Sequence, residues 1–122
     1  MIRLKNYLEV NYNNNIITLI FFVSHNKILK IGKKLNEINE EAYMNGYNWE
    51  ILFNYYLEKY EPAIFEQIET DCEADTYIAY FELTENNKKI VNKFASIIEN
   101  FIENEEKLYN FIIEEGINID WD

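Results

Sequence analysis

The hydrophobic positions of this chain change period several times, and each change marks an element. Ile2, Leu4, Leu8, Val10 and Tyr12 alternate with Arg3, Lys5, Tyr7, Glu9 and Asn11, the period of two that turns one face of a strand into a core. Asn13, Asn14 and Asn15 follow, and asparagine tolerates the left-handed backbone that a tight turn needs. The run from Ile16 to Val23 is mostly β-branched and aromatic. It reads as a more central strand, apolar on both faces, and the two runs predict an antiparallel hairpin. Ile28, Ile31, Leu35, Ile38 and Ala42 then recur at three- and four-residue steps, one stripe of a helix. Gly32 weakens that helix by about 1 kcal/mol relative to alanine.

The chain from Ala42 to Tyr60 predicts a turn and an amphipathic helix. Gly46 supplies a permissive bend, Asn48 is a good N-cap, and Glu50 places a negative charge in the first turn. Trp49, Leu52, Phe53, Tyr56, Leu57 and Tyr60 follow at helical spacing until Pro62. Trp49, Phe53 and Tyr56 belong to the core by that spacing. Pro62, Ile64, Phe65 and Ile68 predict a short further helix. Glu69 to Asp75 reads as an acidic loop, and Tyr77, Ala79, Phe81 and Leu83 as the inner face of a third strand. Thr84 caps a last helical region whose apolar stripe runs from Ile90 to Ile113 and stops at Gly116. A straight helix from residue 85 to 116 would be roughly 48 Å long, against a radius of gyration of about 14 Å. A break near residues 100–104 is therefore expected. The predicted fold is α+β: one domain over residues 1–122, a small antiparallel sheet from 2–12, 16–23 and 76–83, and helices packed mainly on one face.

Composition supports a folded core and gives it a sign. Hydrophobic residues make up 48% of the 122, with three glycines and one proline, which argues against disorder. Net charge is −11, and its distribution is uneven. Residues 1–49 hold four acids against six bases, a balance of +2, while residues 50–122 hold 18 acids against five bases, a balance of −13. Such a field repels nucleic acid and anionic membrane and steers a basic partner inward. The most apolar run, Ile16 to Val23, falls well short of the roughly 20 residues that span a bilayer. A single cysteine excludes an internal disulfide, and the expected location is the cytoplasm.

Candidate chemistry is sparse. His25, the sole histidine, has no partner that sequence can supply. Cys72 lies between Asp71 and Glu73, anions that suppress the thiolate a nucleophile needs. One histidine and one cysteine cannot assemble the usual zinc sets. Asp71, Glu73 and Asp75 alternate like the first ligands of a calcium loop, but Thr76 stands at the sixth position where glycine is needed. No cofactor is expected.

The runs EEAYMNGYNWE, NYYLEKY and ETDCEADTYIAYF, with the terminal IDWD, resemble a family of small bacterial immunity proteins found beside polymorphic toxins, immunity protein family 51. The resemblance extends from about Glu40 to Asp122. It implies a non-catalytic inhibitor that binds and occludes a cognate toxin domain. It does not say which face binds, so the contact is mapped from charge and exposed aromatics. The candidates are the acidic loop, Asp71, Glu73 and Asp75, and the tail, Glu114, Glu115, Asp120, Trp121 and Asp122. Tyr43, Asn45 and Tyr47 around the central turn come second. The partner is a toxin protein, with neither nucleic acid nor membrane bound directly, and self-association is not readable. Two other functions share the composition: a carboxylate-based hydrolase using a pair of Asp/Glu side chains, and an acidic DNA mimic that inhibits a nuclease.

Overall fold

Alternation places Ile17, Leu19 and Phe21 of the second apolar run in a buried row, while Ile16, Thr18, Ile20 and Phe22 point the other way and keep contact with water. The computed structural model describes residues 2–121, with side chains from residue 5 onward. Its strands are β1 (Ile2–Lys5), β2 (Leu8–Asn13), β3 (Ile16–Phe22), β4 (Glu69–Thr70) and β5 (Thr76–Glu82). All pairings are antiparallel, in the order β1-β2-β3-β5-β4. The fold is α+β, with four strands of four to seven residues and a two-residue edge strand. The helices are α1 (Asn26–Ile38), α2 (Gly46–Tyr60), α3 (Pro62–Phe65), α4 (Glu85–Glu103) and α5 (Glu105–Glu115), followed by a 3-10 turn over Gly116–Asn118.

The hairpin forms where the asparagine run predicts it. Asn13 pairs with Ile16, and Asn14 takes the left-handed backbone at φ 54°. β3 is indeed central, flanked by β2 and β5, but only one of its faces is covered. The expected single strand over 2–12 is instead two. Asn6 and Tyr7 form a turn that folds β1 back on β2. Tyr7, placed by alternation on the polar face, is 3% exposed and donates its hydroxyl to Glu103 at 2.9 Å. Residues 69–75 are not wholly loop either, since Glu69 and Thr70 pair with Tyr80 and Ala79.

The helices cover the face made by Leu8, Val10, Ile17, Leu19, Phe21, Tyr77, Ala79 and Phe81, and these strand residues join theirs in one buried cluster. Rings meet edge to face at its centre, the arrangement that sets positive ring edges against negative faces. Phe21 lies 5.0 Å from Trp49, and Phe53 lies 4.9 Å from Tyr77 and 5.7 Å from Phe94, centroid to centroid. Asn104 breaks the last helical region into α4 and α5, within the range that molecular size requires. Thr84 caps α4, its hydroxyl oxygen accepting from the Asn87 amide at 3.0 Å.

Trp49 is fully buried. Trp49→Ala is therefore expected to lower unfolding free energy by about 3–5 kcal/mol, the cost of a large core truncation, as a shift in the urea midpoint with unchanged slope. A loss below about 1 kcal/mol would mean that the ring adds little to the core.

Candidate functional site

Asn45, not Asn48, starts the central helix. Its backbone is extended and its side-chain oxygen accepts from the Asn48 amide at 2.9 Å. The helix thus begins at Gly46, and Glu50 lies beyond the first turn. Gly46 is needed for space, since its φ is not positive. Its amide donates to the Ala74 carbonyl at 2.7 Å, and a Cβ there would stand 1.8 Å from the Glu73 carbonyl oxygen. No side chain fits that approach. The central turn and the acidic loop, 28 residues apart between Gly46 and Ala74, are consequently one surface.

Met44 shapes the turn from within. It adopts φ 55° and is 4% exposed, a backbone costing roughly 1–2 kcal/mol outside glycine. Its side chain lies over Gly32, where an added Cβ would meet the Met44 Cβ at 3.1 Å. With Met44 turned inward, its neighbours face out: Tyr43 is 75% exposed and Tyr47 50%. Asn48 holds this arrangement from beneath. Its side-chain oxygen accepts from the Met44 amide at 2.9 Å, and its side-chain nitrogen donates to the Trp121 carbonyl at 3.2 Å.

The loop is equally constrained. Glu73 and Thr76 exchange two backbone hydrogen bonds, at 2.9 and 3.3 Å, and the Val23 amide donates to the Asp75 carbonyl at 3.1 Å. Asp71, Glu73 and Asp75 all project to solvent. The fold therefore brings together Tyr43, Asn45, Tyr47, Asp71, Glu73 and Asp75, with Trp121 docked below at 5% exposure.

The remaining candidates stand elsewhere. Glu114 is exposed on α5, Asp120 is exposed beside Trp121, and Asp122 lies outside the described residues. Glu115 joins α5 to α2, accepting from the Tyr60 hydroxyl at 2.6 Å and the Tyr55 hydroxyl at 3.0 Å while pairing with Lys59. Lys59, Tyr60 and Tyr55 together hold its carboxyl below the usual range. Glu103 is lowered in the same way by Lys27 and Tyr7. Burial, above all, pushes the Cys72 thiol up to about 11, and Glu50 and Asp71 add to it, so it is a poor nucleophile. His25 caps α1 through Nδ1, which accepts from the Lys27 amide at 3.2 Å. Among the described residues, no group of three or more His, Cys, Asp or Glu side chains is placed to hold a metal ion, and no helix is long and apolar enough to cross a membrane.

Sequence patterns missed three supports of this end: the Met44 backbone, the Asn48 amide and the bond from the Thr70 hydroxyl to Glu50. Only the reading of an asparagine cap beside Gly46 offered a signal, and it fell on Asn48 where the cap is Asn45.

The described residues thus form an α+β domain with exposed carboxylates and tyrosines at one constrained end. The family model described as Immunity protein 51 matches residues 8–117, and the chain belongs to that family. The match begins well before Glu40 and ends short of the terminal IDWD. No curated protein and no solved structure matches the chain significantly.

Two outcomes follow from this geometry. Gly46→Ala should cost about 1–3 kcal/mol, as overpacking does, and should speed amide exchange at residues 46 and 73. Unchanged exchange would show that the turn and loop are not locked. Glu115 has a lowered folded pKa, so its contribution is present above its ordinary value of 4.5 and is lost as pH falls through the lowered one. Glu115→Gln should flatten the acid limb of the stability curve there and leave the slope around neutrality unaltered. It should also flatten the alkaline limb, since Glu115 raises the pKa of the Lys59 ammonium and the Tyr60 hydroxyl.

Proposed function

We propose that this protein neutralises a cognate toxin domain by stoichiometric binding that covers the toxin's active surface, with no turnover of its own. The observation that carries the reading is the locked end of the molecule, where Asp71, Glu73 and Asp75 stand beside Tyr43, Asn45 and Tyr47. Family membership supports a role of the immunity type. The carboxylates attract the Lys and Arg of a partner and speed encounter. The tyrosines offer large contact area with only two rotatable torsions to immobilise. Trp121 keeps this platform rigid from below, which lowers the ordering cost of binding. The encounter belongs in the cytoplasm of the cell that makes both proteins. Glu103 and Glu115, the carboxylates with lowered pKa, are each held by a lysine and at least one tyrosine within the fold. That is a structural use of carboxylates, and it favours binding over a paired-carboxylate hydrolase.

Calorimetric titration with the toxin domain encoded beside this gene is expected to give a one-to-one complex. Absence of binding with both proteins folded would refute the reading. Asp71→Lys, Glu73→Lys and Asp75→Lys together should slow association and reduce its dependence on salt, with the melting curve close to wild type. An association rate unaffected by the triple reversal would move the contact away from the loop.

A further inference from the structure

The sheet has a second face, and along its two central strands the described residues are half-buried rather than enclosed. Ile20 and Ile78 sit directly opposite each other at its middle, with Phe22 opposite Thr76 at one end and Thr18 opposite Tyr80 at the other. All six are only half-buried, and Ile16 at the corner is 48% exposed. The ring contacts of α2 and α4 with the sheet fall on Phe21 and Tyr77, which belong to the opposite face. A sheet face meeting water is ordinarily polar at alternate positions. Here its two central strands present isoleucine, phenylalanine and tyrosine.

Charge narrows what fits there. Of the five strands only β1, at the far edge beyond β2, contains lysine or arginine, and Glu9 of β2, opposite Ile20 on this face, is 6% exposed. Exposed Glu69 and Glu82 flank one end of the face, paired across the ladder with Tyr80 and Ile16. At the other end Phe22 and Thr76 run straight into the acidic loop, where Val23 donates to the Asp75 carbonyl. The apolar strip is thus continuous with the surface proposed above and acidic at both ends.

We infer that the open sheet face, centred on Ile20 and Ile78, is the apolar heart of the toxin contact, and that the acidic loop is its rim. The inference rests on the toxin-binding reading and adds where the desolvated centre lies. It requires a toxin surface with an apolar patch bordered by Lys and Arg. A second copy of this chain fits poorly. Two-fold pairing of the same face would bring identical carboxylates together on chains that each carry −11. Nucleic acid and anionic membrane are repelled for the same reason. The two parts of the surface act on different rates: long-range charge governs encounter, whereas burial of the apolar centre governs escape.

Ile20→Thr with Ile78→Thr tests this. Threonine is β-branched and keeps strand preference, while the apolar contact is lost. Against the toxin domain encoded beside the gene, dissociation should quicken about tenfold or more, with association within about twofold of wild type, since the acids are untouched. Ile117→Thr, at the exposed end of a separate cleft of about 430 Å³ between α1 and α5, should bind as wild type does. Should the double variant melt early, titrating wild type with toxin replaces it, and the Ile20 and Ile78 methyl resonances should shift. Wild-type dissociation rates in a folded double variant, or unmoved methyls, would overturn the inference while toxin binding stands. The same holds if the chain alone forms a dimer that the two substitutions abolish. Failure of wild type to bind the toxin at all would remove the functional reading itself.

Discussion

Asn48 offers one acceptor and two donors at a position 6% exposed, and both ends of its side-chain amide are used. The oxygen takes the Met44 amide and the nitrogen reaches the Trp121 carbonyl. Much of the presented surface depends on that amide. Met44 can hold its left-handed backbone because its N–H is satisfied there, and that backbone turns Tyr43 outward. The tail stays down because Trp121 is tied to the same group. Stripping a buried group of its partner costs about 1–3 kcal/mol, so the amide favours the turn and tail in their present places together. Between them, Gly46 passes so close to Glu73 that the turn carries the acidic loop with it.

Local patterns in the chain were enough for most elements. A continuous β-branched and aromatic run marked β3, alternation marked β5, the asparagine run marked the hairpin, and Thr84 marked the start of α4. They were insufficient where one residue answers to a distant one. Tyr7 breaks the first strand because its hydroxyl is drawn to Glu103, 96 positions away. Asn45 and Asn48 are equally good caps in isolation, and the choice falls to Asn45 because Asn48 is needed by Met44 and Trp121. Of the candidate contact residues, those in the loop and the turn are neighbours in space, which spacing along the chain did not reveal. Glu115 looked like one acid among many, and only the fold shows it gripped by two tyrosines and a lysine.

The acids divide into two populations with different physics. Glu103 and Glu115 sit at the meeting of helices, where lysine and tyrosine partners hold them ionised and they join elements. Asp71, Glu73, Asp75, Glu69 and Glu82 stand in water around the open end and edge of the sheet. In water a single exposed pair is worth little, yet many like charges on one side set up a field that reaches beyond contact distance. A net charge of −11 spread evenly would serve solubility. Set on the exposed loop at Asp71, Glu73 and Asp75, part of it would also orient the molecule towards the basic partner proposed above.

The central ladder of the sheet also governs how the protein can be made. β3 leaves the ribosome with its hairpin partner β2, but its other neighbour, β5, is more than fifty residues further on, Phe22 pairing with Thr76. Closing a loop of that length costs entropy before any contact repays it. Until then β3 has one free edge on an apolar strand, the feature that invites pairing with another chain. An N-terminal fragment ending before Thr76 should therefore be prone to aggregate. A burst of synthesis on polysomes, with many such fragments side by side, is the circumstance in which this chain is most exposed to misassembly.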